Sequence, residues 1–140
     1  MPTLFTRIIE GQIPGRFVWR DAQAVAFLTI APLTTGHVLV VPRLEVSHWI
    51  ELPAELNAHL FTVAQKIGQA LQQAYQPEKV GLMVAGLEVP HVHLHVLPIE
   101  SAADLNFAHA RANTPAAELD QAAETIRAAL RALGHPEVSG

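Results

Sequence analysis

The chain has 140 residues, half of them apolar, and a formal charge of −4 with its histidines neutral. That size and apolar content suit one domain, residues 1–140, with a core of its own. Scattered Lys and Arg argue against nucleic-acid binding, and the lack of cysteine excludes disulfides and thiolate metal sites.

The opening "MPTLFTRIIEGQIPG" has no apolar h-region, so a secretory leader is not expected. The uncharged run from Ala22 to Pro42 is broken by Pro32, Gly36, His37 and three threonines, which reads as two strands and a turn, not a membrane span. The expectation is a cytoplasmic protein with no membrane contact.

"TLFTRIIEGQIPG" predicts a short helix closed by Gly11 and Pro14. "RFVWRDA" and "AVAFLTIAP" are strand-like, joined at Asp21-Ala22-Gln23, and "GHVLVVP" is a third strand stopped by Pro42. From Pro53 to Tyr75 the period changes. Leu56, Leu60, Val63, Ile67 and Leu71 mark one face of a long helix, with Pro53 suited to its first turn.

"KVGLMVAG" and "EVPHVHLHVLPI" return to strand composition, joined at Gly86. The stretch Ile99–Pro115 has no clear period and is long for a connector, so it reads as a lid or arm in which Asn106 and Phe107 could approach a pocket. Thr114-Pro115 then opens a C-terminal helix with Leu119, Ile126, Leu130 and Leu133 on one side, stopped by Gly134 and Pro136. Two strong helices and about five strands, without regular alternation, favour an antiparallel α+β fold.

The densest chemistry lies in "PHVHLHVLPIE", residues 90–100. In a strand, His91, His93 and His95 share one face and Val92, Leu94 and Val96 the other, so the apolar set can enter the core while the imidazoles face a pocket or solvent. A histidine-rich polar edge is the plain alternative. Metal binding is a second, since His-x-His is a familiar ligand pair, but a third ligand along one flat strand lies far off, and His37, His48 or a carboxylate would have to close the site. Nucleophilic catalysis on phosphorus is a third. Neutral imidazole is nucleophilic near pH 7, and neighbouring imidazoles can stabilise the phosphoryl oxygens and the leaving group.

His91-Val92-His93-Leu94-His95-Val96-Leu97 resembles the His-φ-His-φ-His-φ-φ signature of the histidine triad (HIT) superfamily, and "AGLEVP", Ala85–Pro90, resembles the segment that precedes it. Leu4 to Pro53 is similar to the family's N-terminal half, including Gly36-His37. The resemblance implies a HIT-like α+β fold: a five-stranded antiparallel sheet, one long central helix, a short N-terminal helix and a C-terminal helix within an extension from residue 99 to 140. It implies a homodimer with a joined sheet, and a nucleotide hydrolase or transferase that works at the α-phosphate without a cofactor.

On the same resemblance His93 is the nucleophile. His91 and His95 orient it, contact phosphoryl oxygens and help the leaving group depart. His37 is the additional histidine beside them, and Phe27 and Ile30 clasp the base while also belonging to the core. The ligand is a nucleotide or another phosphorylated small molecule.

Several positions depart from the family pattern. Thr29 stands where an aspartate usually meets the ribose, Leu87 where glutamine is usual, and Glu88 where a small hydroxyl residue lies near the phosphate. Ile99 replaces an arginine, and "VGLMVAG" has no asparagine. Thr3-Leu4-Phe5-Thr6 replaces a Cys-x-x-Cys, so no structural zinc is expected and no metal site is assigned. These departures leave room for a redirected ligand or for a binding protein with little turnover. His48, His59, His109 and His135 are expected to be surface or packing residues, and Trp19 and Trp49 packing residues.

Overall fold

The computed structural model describes residues 2–138. Helix α1, Leu4–Ile9, is capped by the Thr3 hydroxyl, which accepts from the Thr6 N–H, and it buries Phe5 and Ile8. Strands β1 (Phe17–Arg20), β2 (Ala24–Leu28) and β3 (Val38–Pro42) follow, then the long helix α2, Ala54–Tyr75. Pro53 sits at the N-cap of α2, one position ahead of its first turn. Strands β4 (Lys79–Val84) and β5 (Leu94–Ile99) complete one sheet, and helix α3, Ala116–Ala132, follows.

All strand pairs are antiparallel, in the order β1-β2-β3-β5-β4. This is the α+β architecture that the strand and helix composition predicts. The pairing shifts register between Phe17 and Trp19, so β1 bends at Val18 while both aromatic side chains stay buried.

The two sheet faces do different work. One carries Val18, Ala26, Val40, Leu94 and Val96 and is covered by α2 and α3. Burying Ile126 and Leu130 of α3 contributes roughly 1.5–3 kcal/mol each. The other face carries Val25, Phe27, Leu39 and Val41 and is covered by short α1, through Phe5 and Ile8, with Ile13 and Val89 packed beside it. That lighter cover leaves room for a cavity.

Three side chains lie elsewhere than their pattern suggests. Leu133 falls on the C-cap of α3 and is exposed, because the helix ends at Ala132 before its face reaches the core again. Trp49 is also exposed, in a single 3-10 turn, whereas Trp19 is buried with its indole N–H donating to Asp21 at 2.8 Å. Ile30 is 71% exposed, beyond the end of β2, and so is not core. Among the described residues, no helix is long and apolar enough to cross a membrane.

Candidate active site

Val92, Leu94 and Val96 enter the core beneath α2, as the alternation requires, and the three intervening histidines take the opposite side. Only His95 lies within β5, opposite Leu39 of β3 and Met83 of β4. His91 and His93 precede the strand. All three rings are buried, in place of a face open to solvent.

Hydrogen bonds fix each ring's tautomer. A carbonyl oxygen can only accept, so a nitrogen bonded to one must carry the hydrogen. His91 Nε2–H donates to the Pro42 carbonyl at 2.7 Å, and its Nδ1 accepts from the Thr3 hydroxyl at 2.7 Å. His93 Nδ1–H donates to the His91 carbonyl at 2.7 Å, so in the neutral ring Nε2 keeps its lone pair.

A second chain sets His95. The Leu33 N–H donates to His37 Nδ1 at 3.0 Å, which puts the His37 hydrogen on Nε2. His37 Nε2–H then donates to His95 Nδ1 at 2.9 Å, leaving the His95 hydrogen on its own Nε2. One backbone amide in the loop after β2 thus decides the polarity of a ring in β5. Gly36 makes this possible, because its φ of +93° and the Tyr75 ring 2.7 Å from where a Cβ would stand leave space only for glycine.

Burial keeps these rings neutral. Desolvation, reinforced by the His95 and His93 charges, lowers His37 to about 3. Desolvation, then the His93 charge, lowers His95 to about 4. His93 is lowered by burial, against the opposing pull of the His91 carbonyl and the Glu88 charge, and His91 is lowered by burial against the Pro42 carbonyl and Glu45. Phe5 stacks edge-on against His93 at 4.9 Å.

Two adjoining cavities share His93, His95 and Glu88. The larger, about 310 Å³, runs under α1 and is lined mainly by apolar side chains, with Phe27, Thr29, Ile30 and Arg16 in its wall. The smaller, about 90 Å³, is lined by Leu87 and Phe107 among others. Of the residues singled out from the sequence, His93, His95, Phe27, Thr29, Ile30 and Glu88 therefore come together. His91 and His37 do not line either cavity. His91 is fully buried with both ring nitrogens occupied, and its carbonyl accepts from His93 Nδ1–H. His37 is likewise buried, and its Nε2 is bonded to His95.

Phe107 reaches the site from the segment after β5, its ring 5.1 Å from His95, while Asn106 lines neither cavity and caps a 3-10 turn by accepting from the Ala108 N–H at 2.9 Å. The remaining histidines are peripheral. His59 bonds Asp21 and His135 packs on Trp19. His48 accepts from Ile50 N–H and His109 donates to the Ala103 carbonyl. Among the described residues, no three His, Asp or Glu side chains are grouped to hold a metal ion. Sequence reasoning missed Thr3, Phe5, Leu33 and Pro42. Only Thr3 carried a signal, a hydroxyl residue ahead of an apolar helix.

Fold and site together define an antiparallel α+β protein that presents one unprotonated imidazole nitrogen to a small-molecule pocket. The HIT domain family model matches residues 10–102, and the chain belongs to that family. It is 34% identical over 102 residues to Protein hit of Bacillus subtilis, covering 68% of this chain and 69% of that one. It is 32% identical over 99 residues to the adenosine 5'-monophosphoramidase hnt1 of Schizosaccharomyces pombe, covering 70% and 74%. The crystal structure of a Hit-like protein from Bartonella henselae superposes with a TM-score of 0.79 at 27% identity, covering 91% of this chain and 95% of that one. The family model ends before Phe107 and α3.

Proposed function

We propose that this protein hydrolyses nucleotide conjugates at the α-phosphate through a covalent intermediate on His93. One observation carries the reading: His93 gives its Nδ1 hydrogen to the His91 carbonyl at 2.7 Å and so keeps Nε2 unprotonated, in a ring that lines both cavities. The relative that is an adenosine 5'-monophosphoramidase supports it.

In the first step the Nε2 lone pair attacks phosphorus. The bond to the leaving atom breaks, its electron pair goes with that atom, and the atom carries away a proton taken from solvent. The phosphorylated ring is cationic, and the His91 carbonyl on Nδ1–H stabilises it. Water then attacks phosphorus, the Nε2–P bond returns its pair to the ring, and the water's proton passes to solvent.

His95 donates Nε2–H to a phosphoryl oxygen. It does not serve as the acid, because protonation at Nδ1 would set that hydrogen against His37 Nε2–H. The retained base occupies the larger cavity between Phe27 and Ile30, and the Thr29 hydroxyl offers the ribose one hydrogen bond. No metal or cofactor is needed for these steps. We further infer a cytoplasmic location and a second copy of the chain as partner, as the sequence led us to expect.

AMP release from an adenosine phosphoramidate tests it. The wild type is expected to turn over, and His93→Ala to fall by about a thousandfold or more. Tight binding with no release by the wild type would replace this reading with that of a nucleotide-binding protein.

A further inference from the structure

Two spaces adjoin His93. The larger, mainly apolar one suits the group that stays on phosphorus, so the smaller one takes the group that leaves. Its wall holds a carboxylate, Glu88, and an aromatic ring, Phe107, beside His93 and His95. Glu88 forms none of the ion pairs among the described residues, so its charge is not neutralised by a Lys or Arg.

Phe107 is held in place. Its ring meets His95 edge-on at 5.1 Å yet stays 42% exposed, and its segment is tied back by Arg111 N–H donating to the Pro32 carbonyl at 3.0 Å. A carboxylate beside an aromatic ring is the chemistry that recognises an organic cation, by charge and by the ring's negative face. An anionic leaving group would meet Glu88 with like charge.

Resting on the hydrolase reading, we propose that Glu88 and Phe107 form a leaving-group subsite that selects amines carrying a positive charge. The substrate class is then a nucleoside phosphoramidate whose amine bears a further ammonium group. In the step, the P–N bond breaks with its pair going to nitrogen, already protonated from solvent, as the Nε2–P bond forms. The pendant ammonium takes no part in the bond changes and sits against Glu88. Glu88 adjusts specificity here and supplies no proton.

Three AMP amides of matched length test this: aminobutyl, hydroxybutyl and carboxypropyl. The wild type is expected to favour the cationic amide over the neutral one by about five- to tenfold in kcat/KM, with the anionic amide slowest. Glu88→Gln is expected to bring the cationic-to-neutral ratio to within about twofold of one, and Phe107→Leu to lower it in part. A wild-type ratio within about twofold of one, or a ratio unchanged in Glu88→Gln, overturns the subsite while leaving hydrolysis intact. Release of no AMP from any of the three overturns the hydrolase reading and the subsite with it.

Discussion

His37 never reaches the cavity, yet it decides which nitrogen of His95 carries the hydrogen. Its own choice is made by the Leu33 N–H, a backbone donor that cannot switch. His37→Ala should therefore lower kcat by on the order of tenfold to a hundredfold through a loosened His95. A merely structural role would stop there. A positioning role also moves the acid limb of the kcat profile upward, because His95 Nδ1 becomes free to take a proton. His37→Gln, whose amide can still donate, should restore part of both. An unmoved acid limb in His37→Ala would sink the relay. The shared side of the three histidines was legible from their alternation with Val92, Leu94 and Val96, although only His95 lies within β5 and the strand predicted for the whole segment begins at Leu94. The relay was not, because Leu33 and Pro42 act through backbone atoms that carry no residue signature. Thr3 was legible only in part. It was read as a missing cysteine, and it is the hydroxyl that holds His91.

Strand β4 ends the sheet, with no neighbour on its outer side among the described residues. A bare edge beside apolar surface invites pairing with another chain. Leu82 of β4 and Phe61 of α2 are exposed along a groove of about 360 Å³ floored by Gly68 and Val96. These features support a dimer built edge to edge through β4. Sedimentation of the wild type should give twice the chain mass, and Leu82→Lys should give the monomer. A monomeric wild type would contradict the arrangement. The elements themselves were mostly readable, because periods of two and of three to four residues separate strand from helix. Ile30 and Leu133 show where that reading stops. Each continues an apolar pattern past the residue at which the backbone ends its element, Leu28 for β2 and Ala132 for α3. The segment after β5 has no period because it is made of two 3-10 turns fixed by local caps.

The molecule as a whole buries four neutral imidazoles on one side of one sheet. In the unfolded chain each takes up a proton near pH 6.5. The folded values are lower, at about 4 for His95 and about 3 for His37. Below about 6.5 the unfolded state thus binds more protons, and stability falls as pH falls. The contribution is fully present above about pH 6.5 and is lost toward the folded values, with a limiting slope of about 1.4 kcal/mol per pH unit for each of His37 and His95. Calorimetry between about pH 6.5 and 5, above the carboxylate range, should show Tm dropping with acid and proton uptake on unfolding. A flat Tm across that window would mean the rings are not held neutral.

Every proposed step depends on the lone pair on His93 Nε2, and intact-protein mass spectrometry reads its reactivity. Wild type and His93→Ala are mixed briefly with an adenosine phosphoramidate and quenched without acid. An adenylyl adduct is expected on the wild type and not on His93→Ala, with AMP release lost alongside it. An adduct that persists in His93→Ala, or AMP release that continues without His93, would contradict His93 as the nucleophile.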